Sequence, residues 1–137
     1  MELQPLIDED LALNWHLIKD KVDKALTHGA GTTCSYELLK QCLARQAQCW
    51  ITKDEFGMIG GVAIIRIEHF DSYSNLVIVA ATMENYALIR EEFLSKMEEL
   101  AKAADCKHVS IHGRRGWMRE LSKYGYKEPY VTIMKEV

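Results

Sequence analysis

The chain is poor in residues that interrupt regular structure: it has two prolines and eight glycines among 137 positions. Disordered and collagen-like organisations are thereby excluded, and no internal repeat, linker or low-complexity tract is visible. Its four cysteines, Cys34, Cys42, Cys49 and Cys106, include no Cys-x-x-Cys pair, which fits a reduced compartment. An excess of one charge is also lacking. Seventeen Lys+Arg stand against 20 Asp+Glu, a net charge of −3, so there is no global pull toward nucleic acid or an anionic membrane. The longest apolar-rich stretch, Met58 to Ile67, falls far short of the ~20 residues that cross a bilayer. Met1 to Asp10 has neither the basic start nor the apolar run of a signal peptide, which predicts a cytoplasmic protein with no membrane partner.

What is present, 48% hydrophobic and 27% charged residues, suits one globular domain spanning 1–137. Leu11, Trp15, Ile18, Val22 and Leu26 recur at spacings of four, three, four and four, predicting an amphipathic helix from Asp10 onward. Asp8, Glu9 and Asp10 suit its positive end, and His28-Gly29-Ala30-Gly31 suits its stop. A shorter helix follows, with Ser35 as cap and Leu38, Leu39, Cys42 and Leu43 as its apolar side. Gln48 to Thr52 and Met58 to Glu68 read as a hairpin about Lys53-Asp54-Glu55-Phe56-Gly57, and Gly60-Gly61 signals a bulge or a close backbone approach. After a turn at Asp71-Ser72-Tyr73-Ser74-Asn75, Leu76 to Ala81 reads as a strand buried on both faces.

The clearest element is a helix carrying Tyr86, Ile89, Phe93, Met97, Leu100 and Ala104, with Asn85 as cap and Glu92/Lys96 and Glu98/Lys102 as i,i+4 pairs. Cys106 to His112 then reads as a strand, Arg115 to Tyr124 as a short helix ended by Gly125, and Tyr130 to Lys135 as a last strand. Strand, long helix, strand between Leu76 and His112 predicts a parallel βαβ unit with a right-handed crossover. The expected fold class is α+β: a mixed, mostly antiparallel sheet of five to seven strands, a central parallel βαβ unit and flanking helices.

That element order resembles the GNAT-type N-acetyltransferase superfamily. Leu121-Ser122-Lys123-Tyr124-Gly125-Tyr126 is similar to the family's helix ending Tyr-Glu-Lys-Leu-Gly-Phe, and Ala101 to Val109 is similar to its Ala-x-x-x-Gly-Cys-x-x-Val passage into the next strand. Gly113-Arg114-Arg115-Gly116-Trp117, followed by Leu121 and Gly125-Tyr126, most resembles small GNAT-like proteins of tailed bacteriophages. The resemblance implies acetyl-CoA as cofactor, held by backbone groups of Val79, Ala80 and Ala81 and by the start of the long helix at Asn85, Tyr86 and Arg90. It also implies direct attack of an amine on the thioester.

Two departures argue against that chemistry. The family's pyrophosphate loop needs glycines at a helix amino end, where unpaired N–H groups and the dipole hold an anion. Here Tyr86 and Leu88 stand in their places, and Ala80 to Lys107 contains no glycine. The tyrosine that protonates the departing thiolate in the family is replaced by Leu121, leaving Tyr124, one turn away, as the nearest substitute.

Three residues are candidates for catalysis, each with an ordinary alternative. Glu84 suits a base for an amine, or simply begins the helix. His112 suits a cleft-facing imidazole, or a turn histidine. Tyr124 suits the acid, or forms a packing face with Trp117 and Leu121. Arg114, Arg115, Arg119 and Lys123 form a basic ridge for an anion such as an adenosine 3′-phosphate or an acidic protein surface, or else a solvated helix face. Base-stacking aromatics are not interleaved along the i, i+4, i+8 face of that ridge, which disfavours nucleic acid. Cys106, His108, Ser110 and His112 share one strand face, but no second cluster completes a metal set, so no metal is expected. Two readings follow. One is a GNAT-shaped, phage-encoded binding or virion component without catalysis. The other is an acetyl-CoA-dependent N-acyltransferase. The missing glycines and tyrosine favour the first.

Overall fold

The structure, a computed structural model, describes residues 2–27, 31–112 and 115–137, without the side chains of 115 and 116. Five strands form one sheet in sequence order: β1 (Leu3–Leu6), β2 (Gln48–Lys53), β3 (Ile59–His69), β4 (Ser74–Met83) and β5 (His108–Ile111). The first three pairings are antiparallel and β4–β5 is parallel, with Asn75 opposite His108 and Ile78 opposite Ile111. The expected parallel βαβ unit is present, its crossover being α3 (Tyr86–Ala103).

The helices α1 (Asp8–Leu26) and α2 (Ser35–Leu43) cover one face. Leu11, Trp15, Ile18 and Val22, the stripe visible in the sequence, pack on Cys49, Ile51, Val62, Ile64 and Ala80. On the other face, Phe93, Leu94, Met97 and Ala101 of α3 and Leu121 of α4 (Arg115–Leu121) pack on Ala63, Ile65, Leu76 and Ile78. Both faces of β3 and β4 are thus dry, which is why these strands read as continuous apolar runs rather than alternations.

Several expected details differ. Leu3–Leu6 is a strand not foreseen, a four-residue edge interrupted by Pro5 and too short to announce itself. Helix α1 starts at Asp8, so the acidic triplet lies in its first turn, and its cap is Ile7 with no side-chain bond. Cys34, not Ser35, precedes α2, and the Ser35 side chain is buried. Residues 28–30 of the expected α1 stop lie outside the described residues, while Gly31 has a left-handed φ of 75°. The turn before β4 is shorter than expected, because Ser74 and Asn75 already pair with His69 and Glu68. On α3, Lys96 lies 3.9 Å from Glu99 and its ammonium sits over the Trp50 ring, in place of the Glu92 pairing.

The strand β5 is four residues rather than seven, leaving Cys106 and His112 outside it. The predicted last strand, Tyr130 to Lys135, is not formed: residues 125–137 have no regular structure and 127–137 are all exposed. Strand propensity there finds no ladder partner, and propensity without a partner does not make a strand. The short terminal helix does form, continued by a 3₁₀ turn at Ser122–Tyr124 and ended by Gly125 at φ 89°.

The Gly60-Gly61 signal is explained twice over. Register between β2 and β3 shifts at Thr52/Lys53, leaving Gly60 as the bulged residue. At Gly61 an added Cβ would lie 2.7 Å from Met83 Sδ and 2.8 Å from Thr52 Oγ1. Its bare backbone relieves crowding from neighbouring strands; it does not open room for a ligand.

Candidate functional site

The site begins with a break in β4. Ile64 faces Ala80 and Ile65 faces Ile78, so Val79 is an extra residue with no partner on β3. A bulge bends its strand and increases the local twist. The parallel ladder to β5 ends beside it, at Ile78 opposite Ile111, while β4 continues to Met83. Beyond that point β4 has no strand partner on its β5 side among the described residues, and a cleft of about 500 Å³ opens there, lined by Ala81, Thr82, Met83, Tyr86, Phe93, Trp117 and Glu120.

The mouth of α3 forms one wall. Asn85 precedes the helix in the left-handed region, φ 55° and ψ 37°, without a side-chain cap bond. Asparagine is among the few residues that tolerate this conformation. The turn it makes sends Tyr86 inward, edge-on to Trp117 with ring centroids 5.5 Å apart and planes at 74°. The Tyr86 hydroxyl is buried with no hydrogen-bond partner among the described residues, and burial, then the nearby Glu120 carboxylate, push its pKa up to about 12. A phenol held so firmly neutral does not supply a phenolate at neutral pH.

Arg90, one turn further along, reaches across to α4. Its Nη1 donates to Glu120 Oε1 at 2.9 Å, and its guanidinium lies over the Tyr124 ring at 5.8 Å. The Glu120 bond raises the Arg90 pKa further. Lys123 sits over the same ring at 5.5 Å, so Tyr124 is flanked by two cations. Leu121 is 3% exposed and belongs to the core. Helix α4 therefore shows the cleft one acidic side chain, Glu120, already paired with Arg90.

Of the residues singled out in the sequence, Ala81 and Tyr86 line the cleft. Ala80 is buried on the opposite face of the sheet among the α1 residues, and Val79 lies half-buried against the same cluster. Glu84 also lies on that side: its Oε2 approaches Gly60, and its Oε1 lies 3.8 Å from Lys21 Nζ of α1. His112 is exposed just beyond β5. Arg119 and Lys123 are exposed, Arg114 lies outside the described residues, and so does the Arg115 side chain. The structure thus does not gather Glu84, His112 and Tyr124 around one space. Thr82, Met83, Phe93, Trp117 and Glu120 join the lining unannounced. Their only sequence signal was that Trp117 and Phe93 lie on helix faces turned to the sheet.

On the far face of β4 and β5, His108 Nδ1 lies 2.9 Å from Asn75 Oδ1, and Asn75 Nδ2 donates to Ser110 Oγ at 3.2 Å. The alternation that suggested ligand spacing thus serves a strand-to-strand polar ladder. Among the described residues no group of His, Cys, Asp or Glu is placed to hold a metal ion, and no helix is long and apolar enough to cross a membrane.

No known family pattern matches the chain, and neither does any curated protein sequence. Solved structures do match over its whole length. A ribosomal-protein-alanine N-acetyltransferase from Brucella melitensis biovar Abortus superposes with a TM-score of 0.73 at 8% identity, covering 100% of both chains. A putative acetyl transferase from Pyrococcus furiosus gives 0.72 at 16% identity, covering 99% of this chain and 100% of that one. An aminoglycoside N-acetyltransferase in complex with CoA gives 0.67 at 11% identity, covering 99% and 98%. Identities this low speak for architecture only. The five-stranded mixed sheet, its parallel β4–β5 pair and the helices that cover it are the GNAT acetyltransferase fold.

Proposed function

We propose that this chain is a phage-encoded protein that uses the GNAT fold in a non-catalytic binding or virion-associated role, rather than transferring acyl groups. The observation that carries this reading is the start of α3, where Tyr86 occupies the cleft wall against Trp117 in place of a glycine-lined pyrophosphate cradle. The Tyr86 ring, edge-on to Trp117, stands where the cradle would have bare glycine backbone. The shortage of proton-transfer groups supports the same reading. Leu121 is buried, Glu120 is spent on Arg90, and Glu84 faces Lys21 across the sheet. The cleft is then an apolar receptacle, with Met83, Phe93 and Trp117 suited to a side chain of a protein partner.

A melting curve with and without millimolar acetyl-CoA tests this. A ligand at a hundred times its dissociation constant adds ~2.7 kcal/mol to stability. With unfolding entropy of ~2.1 cal/mol/K per residue, that would raise the melting temperature of this chain by about 9 °C. No upward shift is expected; a rise of several degrees overturns the proposal.

The second reading, an acetyl-CoA-dependent N-acyltransferase acting on an amine by direct attack, is favoured by the cleft itself. It lies at the bulge where β4 parts from β5, and backbone groups of Val79 to Ala81 are within the parted segment. In that reading Tyr124 donates the proton and Arg90, Arg119 and Lys123 steer the anionic cofactor. Tyr124→Phe should then lower turnover and leave acetyl-CoA affinity unchanged; unaltered turnover removes the assignment.

A further inference from the structure

The cleft between β4 and α4 combines apolar walls with a positive flank. Met83, Tyr86, Phe93 and Trp117 supply the walls. Its volume of about 500 Å³ lies within the roughly 300–1,000 Å³ of clefts that hold ligands. Its one charged lining residue, Glu120, already accepts from Arg90 Nη1 at 2.9 Å. Beyond that pair the surface of α4 turns positive. Arg119 and Lys123 are exposed, and neither has a carboxylate within ion-pair distance among the described residues. Lys123 and Arg90 rest instead over the Tyr124 ring, 5.5 and 5.8 Å from its centroid. In a chain whose net charge is −3, this is a local reversal of sign beside a low-dielectric wall, which concentrates the field there.

The placement of these cations selects the kind of anion. Arg119 and Lys123 stand one turn apart along α4 and the 3₁₀ turn that continues it, about 6 Å along the axis, and outside the cleft. A compact inorganic anion would leave the apolar walls unfilled. An extended peptide meets both demands, because its alternate side chains point the same way and stand ~7 Å apart. One apolar side chain can then enter the cleft while carboxylates two and four positions along reach the two cations. The planar fork of Arg119 suits a carboxylate in particular. A segment with basic flanks would meet like charge on the ridge.

We propose, on the non-catalytic reading above, that the cleft and the α4 ridge together dock an extended acidic segment of a partner protein. Its apolar anchor lies between Met83, Phe93 and Trp117, and its carboxylates lie on Arg119 and Lys123. The walls provide the buried contact, and the ridge sets direction and selects against other partners.

Titration of the isotope-labelled full chain with the terminally blocked peptide Asp-Gly-Asp-Gly-Phe-Gly-Asp-Gly-Asp, followed by amide and indole resonances, tests this. Saturable shifts are expected at Thr82, Met83 and the Trp117 indole. Peptides with lysine for each aspartate, or alanine for the phenylalanine, are expected to bind about tenfold more weakly or worse. Arg119→Glu combined with Lys123→Glu should lose about tenfold or more in affinity for the acidic peptide. Arg119→Gln combined with Lys123→Gln should lose severalfold, and serves if charge reversal disturbs the helix. Equal affinity for the three peptides, no saturable shift at millimolar peptide, or glutamine variants that bind as the parent does overturns the docking site and leaves the non-catalytic reading standing. So does single-stranded oligothymidylate that holds the ridge more tightly than the peptide. A rise in melting temperature with acetyl-CoA overturns the reading and the docking site together.

Discussion

Replacing Tyr86 with phenylalanine separates the two things this residue does. Its ring builds the cleft wall against Trp117, at 5.5 Å between centroids, and phenylalanine keeps that contact. Its hydroxyl is buried without a partner among the described residues, and a buried polar group left unsatisfied costs about 1–3 kcal/mol. Removing the oxygen should therefore stabilise the chain, by ~1–2 kcal/mol once the loss of its small packing volume is set against the gain. At ~2.1 cal/mol/K of unfolding entropy per residue, this raises the melting temperature by about 3–7 °C. Urea denaturation should show a higher midpoint with an unchanged slope, since the exposed surface is almost the same. Tyr126, whose hydroxyl is orphaned in the same way and whose pKa burial lifts to about 12, should respond alike to Tyr126→Phe. Tyr36, 64% exposed, is the control, and Tyr36→Phe should do nothing measurable. A Tyr86→Phe variant less stable than the parent would refute the reasoning, because the hydroxyl would then be bonded in solution and the cleft wall would be polar.

Gly61→Ala should cost about 1–3 kcal/mol, because its Cβ collides with buried Thr52 and with Met83, whereas Gly60→Ala is crowded by the end of the exposed Glu84 side chain and meets Thr52 at ordinary contact distance, and should be near neutral; reversed ranking in denaturant melts would sink the crowding account. Burial lifts Cys42 to about 11 and Cys49 to about 12 from 9.0, so the folded state holds these protons longer than the unfolded chain. Stability is then full below pH 9 and falls as pH rises toward 12; a Cys49→Ala variant with an equally steep alkaline decline in urea midpoints would show that other groups carry it. Glu120→Gln leaves the half-exposed Arg90 without its carboxylate and should cost no more than about 1 kcal/mol, while unpinning the guanidinium from the cleft rim; a loss of several kcal/mol would mean the pair is structural to α4.

The helices and the parallel unit were legible in the sequence because each rests on a long periodic signal. Of the α1 stripe, Leu11, Trp15, Ile18 and Val22 are buried in the core and Leu26 is half-buried at its end, and α3 begins at Tyr86 as expected. Features set by one strand finding another were not legible. β1 needs β2 to exist, and Tyr130 to Lys135 has the residues of a strand but no partner in the structure. The Gly60-Gly61 bulge was readable because glycine is its cause. The Val79 bulge was not, because a valine between two apolar neighbours carries no local mark of register.

The same difference explains the site. The cleft is a product of backbone register: a bulge at Val79, a ladder that stops at Ile78, and a left-handed Asn85 that turns the next residue inward. None of these requires a catalytic side chain, so the architecture can be kept while the chemistry changes. That is consistent with superposition on acetyltransferases at TM-scores near 0.7 with identities of 8 to 16%. Whatever distinguishes an enzyme from a binding domain here must therefore reside in the few side chains that meet the cleft. Tyr86 is the one on which the proposed reading turns, because its ring lies edge-on to Trp117 at the start of α3 and lines the cleft. On the proposed reading that ring stands in the way of acetyl-CoA, so Tyr86→Gly should create or strengthen acetyl-CoA binding. A Tyr86→Gly variant that folds, yet melts at the same temperature with and without acetyl-CoA, would move the cause from this residue to the rest of the cleft.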